Sequence, residues 1–121
     1  MKFTRDNSMS LSIRGISEES IRIGDREYDR AIAMTTTEVI ADWPDRPVGE
    51  LVEEDFAPIL DSETEVLILG TGATNVFPAR ELIFAMARRG VGLEFMDSKA
   101  AARTFNVLAS EGRRVVAVLY L

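Results

Sequence analysis

The apolar and polar positions of this chain follow two different rhythms, and the change falls near residue 65. Before it, apolar residues alternate with polar ones in short runs. Leu11-Ser12-Ile13-Arg14-Gly15-Ile16 and Ile21-Arg22-Ile23 keep the two-residue period of half-buried strands. Arg26-Glu27-Tyr28, Ala31-Ile32-Ala33-Met34 and Val39-Ile40-Ala41 predict three more short strands. The polar turns Ser17-Glu18-Glu19-Ser20, Gly24-Asp25 and Thr35-Thr36-Thr37-Glu38 separate them, and such close turns imply antiparallel pairing. After residue 65, Val66-Leu67-Ile68-Leu69 is an unbroken apolar run, the mark of a strand covered on both faces. A helix is predicted over residues 79–89, with Pro78 at its first position, Glu81 in its first turn, Arg88 and Arg89 in its last and Gly90 just past its end. Val91 to Met96 predicts a strand. Asp97 or Ser98 caps a second helix that runs to about Ser110 and stops at Gly112, and Val115 to Leu119 is the last strand.

Between the two halves lies a break. Trp43-Pro44-Asp45-Arg46-Pro47 is a loop, since two prolines remove two N–H donors and fix φ. Residues 49–65 carry seven acids and no base, with Leu51, Phe56, Ile59 and Leu60 as an apolar stripe. This predicts a short helix, with Pro58 in its first turn. The expected architecture is one α/β domain over residues 1–121: a β-rich portion at 9–43, an acidic helical connector at 49–62 and a β-α-β-α-β half at 65–121. Helical crossovers join parallel strands. The sheet is therefore mixed, with helices on at least one face and the β-rich portion on the other side.

Composition narrows the chemistry. With 121 residues and 46% hydrophobic content, the chain buries an adequate core without a metal or disulfide staple. A net charge of −6 disfavours a nucleic-acid partner, which needs a basic face. No apolar run reaches the roughly 20 residues of a membrane span. Met1 to Asp6 holds a cation but no apolar stretch of the secretory kind, so a cytoplasmic location is expected. Histidine and cysteine are absent. That excludes Ser-His-Asp and Cys-His nucleophiles, zinc fingers and thiol redox pairs, and no metal site or cofactor is expected. The lysines are Lys2 and Lys99.

Gly70-Thr71-Gly72 follows a buried strand and precedes a helix, where a nucleotide-binding glycine loop would sit. The match then fails. Asn75 holds the third glycine position, the helix starts past Pro78, and Asp97 lies farther on than the usual ~20 residues. A tight turn, or a site for another small anion, is left. Lys99 falls in the first turn of a helix, against the macrodipole. It is either solvated or turned to the rim that Gly70, Thr71 and Gly72 share with Ser98, at the carboxyl ends of parallel strands where α/β ligands bind. Asn106 lies inside a helix, as a buried structural hydrogen-bonder or a ligand contact. Arg113 and Arg114 are placed on the opposite rim, in a structural role paired with carboxylates or helix-end carbonyls. The acidic stretch is a solvated face or, with Trp43, Glu50, Glu53 and Glu54, a surface for a protein partner.

Leu67-Ile68-Leu69-Gly70-Thr71-Gly72, Glu94-Phe95-Met96-Asp97-Ser98, Ala101 to Leu108 and Glu111-Gly112-Arg113-Arg114-Val115 resemble a widespread family of small domains of unknown function. That family includes the mitochondrial NADH dehydrogenase complex I assembly factor 3. Ser98 stands where the family suggests threonine, which keeps a hydroxyl. The resemblance implies a three-layer α/β fold with a mixed central sheet, no known cofactor and no established reaction. Assembly assistance is implied for the mitochondrial relative, whose targeting extension is not expected here. For this chain two functions stand open: a non-enzymatic interaction or assembly factor, and a protein or enzyme for a small anionic ligand.

Overall fold

The computed structural model describes residues 11–121. The segment Met1–Asp6, Lys2 and the first two positions of the β-rich portion lie outside the described residues. Among the described residues, eight strands form two sheets. β1 (Ile13–Ile16), β2 (Ile21–Ile23) and β3 (Arg26–Tyr28) make a small antiparallel sheet. β4 (Ile32–Met34), β5 (Val39–Ile40), β6 (Val66–Thr71), β7 (Gly92–Met96) and β8 (Val115–Tyr120) make the central sheet, in the order β5-β4-β8-β6-β7. β6 runs parallel to both β7 and β8, while β4 is antiparallel to β8 and β5. The described residues also form two α-helices, α1 (Arg80–Arg89) and α2 (Ser98–Ser110).

Strand alternation sorts the central sheet into two cores. Val66 and Ile68, with Val115, Ala117 and Leu119, face Ala101, Ala102 and Phe105 of α2 and Ile13, Ile21 and Ile23 of the small sheet. Leu67, Leu69, Val116 and Val118 face Leu82 and Met86 of α1, together with Trp43, Leu51 and Phe56. Because both faces are covered, β6 and β8 need an apolar residue at nearly every position, as their sequences show. The result is a three-layer α/β fold with a mixed central sheet. The small sheet shares its face with α2. The β-rich portion is therefore divided: β4 and β5 extend the central sheet, and β1 to β3 flank a helix.

Two further expectations are corrected. β6 continues through Gly70 and Thr71, so these residues belong to a strand and the turn begins at Gly72. The acidic connector is not an α-helix. It folds as two 3-10 turns, Val48–Glu50 and Glu53–Phe56, and Pro58 lies beyond the second. Pro58 has no N–H to extend a helical ladder past the second turn. What holds the stretch is local: Asp55 accepts the Val52 N–H and pairs with Arg46, while Phe56 is fully buried.

Candidate functional site

The carboxyl ends of β6, β7 and β8 meet at one rim, and α2 starts there. Asp97 caps α2 by accepting the Ala100 N–H at 2.9 Å. The next residue ties the rim together. The Ser98 N–H donates to the Gly72 carbonyl at 2.8 Å. Its buried hydroxyl accepts the Gly72 N–H at 2.9 Å and donates to the Tyr120 carbonyl at 2.6 Å. One serine thus links the ends of three strands. Gly72 has φ +103°, a conformation that favours glycine, and a side chain there would press on the Leu121 carbonyl.

Beside this joint lies a cleft of about 180 Å³. Gly72, Ser98 and Lys99 line it, as do Ser17, Glu18, Asp97 and Tyr120. Parallel pairing thus brings Gly72, Ser98 and Lys99 to one place. The other candidates fall elsewhere. Gly70 is buried against α2 and makes room for its approach. The Thr71 hydroxyl accepts the Val76 N–H at 3.0 Å and lies 2.6 Å from the Thr74 carbonyl, to which it donates. It therefore holds the 72–76 loop in place and does not face the cleft. Asn106 is distant from the rim and bonds both backbone groups of Ile13. Ser17 and Glu18 come from a turn some eighty residues before Lys99. In sequence they look like an ordinary polar turn, and no local signal points to the rim.

A second surface lies on the opposite face of the central sheet, between α1 and the two 3-10 turns. It is a groove of about 340 Å³ whose floor includes the buried Leu51, Leu82 and Ala85. Glu50, Glu53, Glu54 and Glu81 stand around it, and Glu53 is paired with Arg89 at 2.6 Å. Val52, 45% exposed, also lines it. Phe77 is 71% exposed and rests edge-on against Phe95, and Phe84 of α1 is 54% exposed. Sequence reasoning passed over both aromatics. Phe84 was findable, because the buried stripe of α1 runs through Leu82, Ala85 and Met86 and leaves position 84 outside it.

Trp43 does not line this groove and is largely buried, touching only a neighbouring hollow with Ile40 and Pro44. It is 3% exposed, packs 5.2 Å from the Phe56 ring and donates its indole N–H to the Tyr120 hydroxyl at 3.1 Å. That hydroxyl donates in turn to the Arg46 carbonyl at 2.7 Å, and burial pushes the Tyr120 phenol above its usual range. The tryptophan expected on an interaction surface instead anchors the proline loop to the core. At the opposite rim, Arg113 pairs with Glu65 at 2.6 Å and Arg114 with Glu63 at 2.5 Å.

These features define a small three-layer α/β domain with a helix-end cleft and a predominantly acidic groove. The chain belongs to the family described as protein of unknown function (DUF498/DUF598), which matches residues 13–120. It is 27% identical over 95 residues to a Francisella tularensis protein named 13 kDa major membrane protein, covering 77% of this chain and 76% of that one. It is 39% identical over 61 residues to the Danio rerio NADH dehydrogenase [ubiquinone] 1 alpha subcomplex assembly factor 3, covering 50% of this chain and 35% of the assembly factor. The match therefore spans about a third of that relative. A Xanthomonas campestris protein solved by NMR superposes with a TM-score of 0.81 at 32% identity, over 92% of this chain and 84% of its own. Among the described residues, no helix is long and apolar enough to cross a membrane.

Proposed function

We propose that this protein is a non-enzymatic interaction factor, located in the cytoplasm, that helps a larger protein complex to assemble. The observation that carries the reading is the exposure of Phe77 and Phe84, at 71% and 54%, on the side of the molecule that holds the acidic groove. Exposed aromatics cost solubility and are the side chains that most often anchor protein interfaces. Relatives named as assembly factors agree with this use. Affinity capture from the native cell should recover one reproducible partner. The pair Phe77→Ser and Phe84→Ser should reduce its recovery about tenfold, a loss of about 1.4 kcal/mol, while the melting temperature stays unchanged. Full recovery with the double variant would remove the aromatics from the interface.

The rim cleft favours a second reading, a small-ligand site built on Gly72, Ser98 and Lys99. Lys99 gives an anionic group a partner. Glu18 and Asp97 line the same cleft, so a ligand with a cationic group as well suits it better than phosphate alone. A thermal-shift screen with nucleotides, amino acids and small organic acids tests this. A binder at ten times its Kd adds about 1.4 kcal/mol of stability. Lys99→Ala should abolish that gain, and a gain that survives the substitution places the ligand elsewhere.

A further inference from the structure

We propose that the groove between α1 and the two 3-10 turns takes a basic segment of a partner protein, one that presents aliphatic side chains to the groove floor. This rests on the interaction reading above and names the chemistry of the partner. Three observations carry it. First, the floor is apolar, with Leu51, Leu82 and Ala85 below and the exposed Val52 at the edge. A cation alone would leave that floor unused. Second, the walls are predominantly acidic, with four glutamates against the single base Arg88. Glu50, Glu54 and Glu81 have no ion-pair partner among the described residues, whereas Glu53 is held by Arg89. Third, the surface continues past the groove at both ends. Glu54 also borders a neighbouring hollow of about 470 Å³ that includes Ile40, Pro44, Pro58 and Asp42. At the other end Gly49 lies beside the backbone of Phe77, whose exposed ring rests against Phe95. An apolar trough edged by carboxylates is complementary to a segment with aliphatic anchors on one face and Lys or Arg along its flanks.

The test uses fluorescence anisotropy with two labelled peptides. One is a roughly 15-residue amphipathic helix of Leu and Lys, and the other carries Glu in place of Lys. The Leu/Lys peptide should bind, more weakly as salt rises, and the Leu/Glu peptide should not. Glu50→Gln with Glu54→Gln and Glu81→Gln should weaken binding about tenfold. An equal neutralisation remote from the groove, at Glu18, Glu19 and Glu111, should change it less than about threefold, which tests against attraction by net charge alone. Val52→Lys should also weaken it. Equal losses from the two triple variants overturn the proposal. So does unchanged binding when the peptide leucines are replaced by alanine. The two readings fail separately. A native partner that depends on Phe77 and Phe84 but not on Glu50, Glu54 and Glu81 leaves the interaction role standing and removes the groove.

Discussion

Gly70→Ala should lower the unfolding free energy by about 2–4 kcal/mol, read as a lower urea midpoint at unchanged slope. A methyl group at Gly70 would lie 2.8 Å from the Ser98 hydroxyl, 2.9 Å from a Leu119 methyl and 3.0 Å from the Ala101 methyl. None of the three gives way freely. Leu119 and Ala101 are fully buried in one core, and Ser98 is fixed by its bonds to Gly72 and Tyr120. Relief requires moving the start of α2 off the sheet, which breaks the joint that links three strands. Overpacking alone costs typically ~1–3 kcal/mol, and stretching buried hydrogen bonds adds to it. Gly15→Ala is the matched control. No atom lies within 4 Å of its added methyl, so the change should be neutral. A loss below about 0.5 kcal/mol at Gly70 would mean that the helix end yields without cost.

The same glycine shows what the sequence made legible. Its position at the end of a buried strand was readable, because Val66 to Leu69 is unmistakably a strand covered on two faces. Its role was not. A glycine near a strand end suggests a turn, where φ freedom matters, whereas Gly70 is used for the absence of a side chain. That distinction depends on Ser98, Ala101 and Leu119, which lie far away in sequence. Trp43 failed for a related reason. The prolines around it correctly predict a loop, but a loop backbone does not fix where an indole goes: its ring packs on Phe56 and its N–H donates to the Tyr120 hydroxyl. The rim cleft was legible in part. Parallel pairing of β6 and β7 follows from the helical crossover and puts Gly72 and Lys99 side by side. The Ser17–Glu18 turn joins them through the packing of the small sheet on α2, which no local pattern encodes. The acidic groove was visible as charge, in Glu50, Glu53 and Glu54. Its floor was hidden, because Leu82 and Ala85 belong to a helix that the sequence alone does not place against the 3-10 turns.

Asn106→Leu should destabilise the protein by about 2–4 kcal/mol, although leucine is the better helix former by ~0.5 kcal/mol. The sign decides between two accounts of a residue that looks misplaced inside α2. Its amide oxygen accepts the Ile13 N–H and its amide nitrogen donates to the Ile13 carbonyl, both at 2.9 Å. β1 is an edge strand of the small sheet, and these two groups point away from β2 toward the helix. Asn106 therefore completes the edge as a neighbouring strand would, satisfying a buried residue that has no other partner strand on that side. Leucine keeps the volume and strands both backbone groups of Ile13, each at a cost of about 1–3 kcal/mol when water cannot reach it. Asn106→Asp should fall between: its carboxylate keeps the bond from the Ile13 N–H but sets an oxygen against the Ile13 carbonyl. Hydrogen exchange locates the damage. Amides of β1 and β2 should lose protection first, while those of β6 and β8, deep in the central sheet, follow the smaller global change. A leucine variant as stable as the parent would show that helix propensity outweighs the edge bonds.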